Sequence, residues 1–132
     1  MDGITSNFDL INLAKKLNIK LTAVIYKDEL VKFNSKKNGS YILDLHDSSD
    51  TSTGHWILLY INGDKAIYFD SFGIIYPQIV KTFCGDRTIE WNKKQLQGYN
   101  TEHCGEWCIA CLWHLQKGLP LETFIDHFNQ FN

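Results

Sequence analysis

Apolar residues recur along this chain in two rhythms, one near 3.6 residues and one near two, and the switches between them mark the elements. Leu10, Ile11, Ala14 and Leu17 line one face of a helix that Ser6-Asn7 can cap. Asp9 in its first turn and Lys15-Lys16 in its last suit the helix dipole, and Asn18 is a natural stop. Leu21 to Tyr26 is β-prone and is followed by polar Lys27-Asp28-Glu29. The segment from Phe33 to Ser40 reads as a loop, and Tyr41-Ile42-Leu43-Asp44-Leu45 reads as a strand.

Asp47 to Gly54 is almost wholly small and polar, the pattern of an exposed loop. It ends at His55, which opens the run Trp56-Ile57-Leu58-Leu59-Tyr60-Ile61. That run is apolar on both faces, as a strand in the middle of a sheet would be. Asn62-Gly63 is a strong hairpin signal, and Ala66-Ile67-Tyr68-Phe69 is the return strand, ending at Asp70-Ser71-Phe72-Gly73. A hairpin of this length brings His55 and Asp70 to the same open end. Pro77 opens a helix carrying Ile79, Val80 and Phe83, and Thr88-Ile89-Glu90-Trp91 is a further strand. A polar loop then leads through Gln97 to Cys104, which begins a long apolar helix closed by Gly118 and Pro120. Leu121, Phe124, Ile125 and Phe128 share one face of a last helix. This order predicts an α+β fold, a central and mainly antiparallel sheet packed against helices. With 132 residues, it predicts a single domain over 1–132.

Composition narrows the function. The net charge is −2, and Lys36-Lys37 and Lys93-Lys94 are isolated pairs, so there is no basic stripe for nucleic acid. No apolar run reaches the length of a membrane span, and Met1-Asp2-Gly3 does not begin a signal peptide. An intracellular chain with reduced cysteines is the expectation.

Four cysteines are present: Cys84 alone, and Cys104, Cys108 and Cys111 together. A thiol at the start of a helix meets unpaired N–H groups and the positive end of the dipole, which favour thiolate. A nucleophilic thiol also needs a base. His114 lies ten residues further along the same helix, roughly 15 Å away at 1.5 Å per residue. His103 is a sequence neighbour that does not face Cys104, and His127 falls among core aromatics. His46 closes a strand and stays a candidate. His55 alone has a carboxylate, Asp70, brought beside it by an identifiable turn, so His55 is the preferred base and Asp70 the group that orients it. Each feature also has an ordinary structural reading: a strand-end histidine, turn chemistry at Asp70-Ser71, small core thiols. A zinc site from Cys104, Cys108 and Cys111 with His103 or His114 would place three thiols along one helical face, whereas structural zinc usually gathers ligands from two elements.

Four stretches, in chain order, resemble the adenovirus-type cysteine proteases (adenain) and, more distantly, the SUMO-specific proteases. Gly54-His55-Trp56 is similar to the family's catalytic His-Trp. Tyr68-Phe69-Asp70-Ser71-Phe72-Gly73 is similar to its acid turn. Leu96-Gln97-Gly98-Tyr99-Asn100-Thr101 resembles its oxyanion-glutamine motif. Cys104-Gly105-Glu106-Trp107-Cys108 resembles its nucleophile motif, with the same seven-residue step from Gln97 to Cys104. Leu45-His46-Asp47-Ser48-Ser49 resembles the acidic-serine loop before the histidine in related proteases of virophages, polintons and large DNA viruses. The match spans roughly residues 8–115.

The resemblance implies a maturation endopeptidase of adenain/SUMO-protease type with Cys104, His55 and Asp70 as triad and Gln97 in the oxyanion hole. It implies capsid or other virion precursors as substrates, cut after small residues such as Gly. It also implies a place in the virion and the infected cell, in cytoplasm, nucleus or viral factory. No cofactor is required by the residues; an activating peptide or DNA follows from family analogy only, and the acidic balance gives DNA no support. No membrane partner and a monomeric state are expected. Asp70 stands where adenain has Glu, and the chain is considerably shorter than adenain. A ubiquitin-like or SUMO-processing protease and a non-enzymatic zinc module are the alternatives.

Overall fold

The computed structural model describes residues 6–46, 55–96 and 103–129. Helix α1 (Asn7–Lys16) starts with a capping box: Ser6 Oγ accepts from the Asp9 N–H, and the Asp9 carboxylate accepts from the Ser6 N–H, each at 3.1 Å. Asn18, in the left-handed region at φ 58°, turns the chain out of it. Strand β1 (Ala23–Tyr26) runs into a 3-10 helix, Lys27–Lys32, where the sequence suggested only a polar segment. Glu29 caps its start through the Tyr26 N–H, and Leu30 is its single fully buried anchor. One buried residue in six is too short a pattern to announce a helix.

Strands β2 (Gly39–Asp44), β3 (Trp56–Asn62) and β4 (Lys65–Phe69) form an antiparallel meander. The β3–β4 loop is Gly63-Asp64, one residue later than the Asn-Gly pair suggested, with Gly63 at φ 62°. Helix α2 (Gln78–Cys84) begins after Pro77, and strand β5 (Thr88–Trp91) follows. The sheet order is β1-β2-β3-β4-β5, so β3 is central, as its two apolar faces demand. The three inner strands are antiparallel, while β1 on β2 and β5 on β4 pair parallel through helical crossovers.

Alternation along β3 divides the core. Leu58 packs with Ile42, Phe69, Cys108, Ile109, Leu112 and Leu115 beneath α1, α3 (Cys104–Gln116) and α4 (Leu121–Asn129). Ile57, Leu59 and Ile61 pack with Leu30, Val80 and Phe83 on the other face. Helix α3 is apolar almost all round and lies along β3, which fixes its first residue near the entrance of that strand. None of the helices among the described residues is long and apolar enough to cross a membrane.

Candidate active site

The site forms where β3 begins, β4 ends and α3 starts. Continued past Phe69, the antiparallel register brings Phe72 opposite His55, and the turn at Asp70 folds its side chain back toward the same place. His55 Nε2 lies 2.6 Å from Asp70 Oδ1, and the carboxylate is fully buried. The same oxygen accepts the Phe72 N–H at 2.8 Å, as in an Asx turn. The imidazole lies flat on the Phe72 ring, with centroids 4.2 Å apart and planes 7° apart. With Nε2 engaged by the acid, Nδ1 is the other nitrogen; it is buried and accepts or donates no hydrogen bond among the described residues.

Cys104 is the group beside it. The sulfur is the first side chain of α3, 8% exposed, and accepts the backbone N–H of Trp56 at 3.4 Å. Trp56 is the residue after His55, so the histidine strand and the thiol helix are joined at this contact. Burial, the largest influence on the His55 ring, lowers its pKa. The hydrogen bond and charge of Asp70, with the neighbouring Cys104 sulfur, outweigh it and raise the pKa from 6.5 to about 9. The ring is therefore cationic at neutral pH, with its Nε2–H donated to the Asp70 carboxylate.

Helix α3 opens without a side-chain cap from His103. The Cys104 N–H, at the first helical position, has no acceptor within the helix. Beside the site, Trp56 and Asp44 wall a groove of about 310 Å³ with Val24, Tyr26 and Glu29.

The other sequence candidates lie elsewhere or outside the described residues. Gln97 falls outside them, as does the polar loop after His46. His46 sits 3.3 Å from the Asp44 carboxylate. His114 Nε2 is bound by the Pro120 carbonyl at 2.7 Å and the Thr123 hydroxyl at 2.9 Å, at the α3–α4 joint. His103 lies 3.4 Å from Glu106, and His127 packs edge-on to Phe128. Cys108 and Cys111 are fully buried, and burial pushes both thiols well above their usual pKa. Among the described residues no cluster of three or more His, Cys, Asp or Glu is arranged to hold a metal.

Two residues at the site had no sequence signal of their own. Phe72 was legible only as part of a turn. Asn92, directly after β5, is fully buried and bonds the backbone of Asp70 at both ends: the Asp70 N–H donates to its Oδ1 at 2.9 Å, and its Nδ2 donates to the Asp70 carbonyl at 2.5 Å.

No family model matches the sequence, and no curated protein does. Solved structures do match. The selenomethionine crystal structure of the ASFV pS273R protease superposes with a TM-score of 0.61 at 18% identity, covering 93% of this chain and 62% of that one. A second crystal structure of the same ASFV protease gives a TM-score of 0.61 at 16% identity, covering 93% and 61%. The chain spans about three fifths of the length of those proteins. The likeness is one of fold: a mixed α+β domain with a five-stranded sheet and helices.

Proposed function

We propose that this chain is a cysteine endopeptidase domain in which Cys104 is the nucleophile, His55 its acid–base partner and Asp70 the group that orients His55. The observation that carries the reading is the His55 ring, held by a buried carboxylate at 2.6 Å on Nε2, while the backbone N–H of the next residue, Trp56, donates to the Cys104 sulfur at 3.4 Å. The fold it shares with a viral protease supports the same reading.

In the reacting state the pair is imidazolium and thiolate, reached when His55 takes the Cys104 proton or already present as a resting ion pair. The thiolate attacks the peptide carbonyl carbon, forming an S–C bond. The oxyanion is received by the Cys104 N–H and the Gln97 side-chain amide. The C–N bond then breaks as His55 gives its proton to the leaving amine. Water, deprotonated by His55, attacks the thioester and expels the thiolate, restoring the pair.

The substrates are capsid or other virion precursor proteins, cut after small residues such as Gly, in the virion or infected cell, by a monomer with no obligatory cofactor. The test is hydrolysis by the purified chain of a peptide panel varied before the cut, with ubiquitin-like C-terminal probes alongside. Cleavage after Gly that Cys104→Ala and His55→Ala both abolish supports the reading. Parental rates in Cys104→Ala refute the chemistry, equal cleavage after bulky residues refutes the specificity, and preference for the ubiquitin-like probes moves the substrate class to processing of such tails.

A further inference from the structure

We propose that Asn92 is a positioning residue: by bonding both backbone groups of Asp70 it fixes the Asp70–Gly73 turn, and through that turn both contacts that orient the His55 ring. The parallel β4–β5 ladder ends at the Tyr68–Trp91 pair. Asn92 follows, and its side chain continues the pairing where the backbone ladder stops. Its Oδ1 accepts the Asp70 N–H, one Nδ2 hydrogen goes to the Asp70 carbonyl, and the other goes to the Lys94 carbonyl at 3.1 Å. These partners dictate the orientation of the amide. A flip would set an amino group against an N–H and an oxygen against two carbonyls.

The turn itself is laced to the segment that Asn92 begins. The Gly73 N–H donates to the Asp70 carbonyl at 2.7 Å, and the Leu96 N–H donates to the Ser71 carbonyl at 2.8 Å. Gly73, at φ 74°, lies so close to Lys94 and Gln95 that an added Cβ would come within 2.8 Å of their backbone. From this one turn come the carboxylate that meets His55 in the plane of its ring and the Phe72 ring that meets its face. An in-plane bond and a face contact together leave the imidazole little freedom to rotate away from Cys104. Asn92 reaches neither the ring nor the sulfur. It acts through the Asp70 turn, at the end of a strand whose only pairing partner among the described residues is β4.

The inference rests on the proposed Cys104–His55–Asp70 chemistry, and its test separates the two. Asn92→Asp keeps the size and the acceptor for the Asp70 N–H but turns a carboxylate oxygen toward two carbonyls. Asn92→Ala removes all three bonds. Each would be made in the parent and in an Asp70→Asn background. The measurements are kcat, KM, the melting temperature and the pH titration of the His55 ring by NMR. The expected result is a fall in kcat of about tenfold or more with KM nearly unchanged, since a misaligned ring weakens the transition state rather than binding. The His55 titration should move below that of the parent. Either effect should be much smaller when Asp70 is already Asn, because contacting residues are not additive. If Asn92→Ala does not fold, Asn92→Asp alone decides. A loss confined to melting temperature, or one equally large in the Asp70→Asn background, overturns the proposal. Should the parent fail to hydrolyse any peptide, the protease reading falls, while the His55 titration still decides whether Asn92 sets the ring.

Discussion

The His55 imidazole is stacked on the Phe72 ring at a centroid distance of 4.2 Å, within 7° of parallel, while its edge meets Asp70. Phe72 thus supplies the contact that the acid cannot, a surface against which the ring is held flat. Stacked pairs contribute about 0.5–1.5 kcal/mol beyond the area they bury, which converts to roughly two- to tenfold in rate if the contact matters most in the transition state. Phe72→Ala should lower kcat/KM by about that much, and Phe72→Tyr should retain most of it. Steady-state hydrolysis by both variants checks this; a Phe72→Ala enzyme at the parental rate removes Phe72 from the site.

The acid gives a pH prediction with a definite sign. Asp70 raises the His55 pKa, so the ring stays protonated upward until about pH 9. Asp70→Asn removes the charge that offsets burial, and the alkaline limb of the rate profile should move toward neutrality. Activity at pH 8 should then fall by more than activity at pH 6.5. A profile that keeps its alkaline limb in Asp70→Asn contradicts the role given to the carboxylate.

Stability follows the same linkage. A histidine whose folded pKa lies above its unfolded value stabilises the native state fully below about pH 6.5, and that contribution is lost as pH rises through about 9. The melting temperature of the parent should drop between pH 7 and 9.5 more steeply than that of His55→Gln. Parallel curves would show that the ring gains nothing from folding.

Gly73 tests the scaffold of the acid turn. Its φ of 74° is a left-handed conformation, and a Cβ there would press on the backbone of Lys94 and Gln95 at 2.8 Å. Strain of this kind costs on the order of 1–3 kcal/mol. Gly73→Ala should lower the denaturation midpoint accordingly and reduce kcat as the turn shifts. Gly85, with a similar φ of 62° but nothing within 4 Å, is the control: Gly85→Ala should cost stability without touching kcat.

Much of the fold was legible because local chemistry and global pattern agree. Ser6 and Asp9 announce the first helix, the doubly apolar run from Trp56 takes the middle of the sheet, and Pro77, Gly118 and Pro120 punctuate the helices. The hairpin argument brought His55 and Asp70 together because antiparallel register is set by its turn. What escaped depends on partners distant in sequence. The parallel pairing of β1 with β2 and of β5 with β4 follows from crossovers, which no strand's own residues encode. Asn92 reads as an ordinary polar residue after a strand, and only the fold reveals that it is fully buried against Asp70. Gln97 was legible only by resemblance and lies outside the described residues.

The most direct measurement is the rate at which sub-stoichiometric iodoacetamide modifies each thiol at neutral pH, mapped by mass spectrometry in the parent and in His55→Ala. Cys84, Cys108 and Cys111 are buried, with thiols pushed upward in pKa by that burial. The account predicts that Cys104 is alkylated far ahead of these three in the parent and loses that lead when His55 is removed. Alkylation of Cys104 at the same rate with and without His55, or no faster than Cys84, would contradict it.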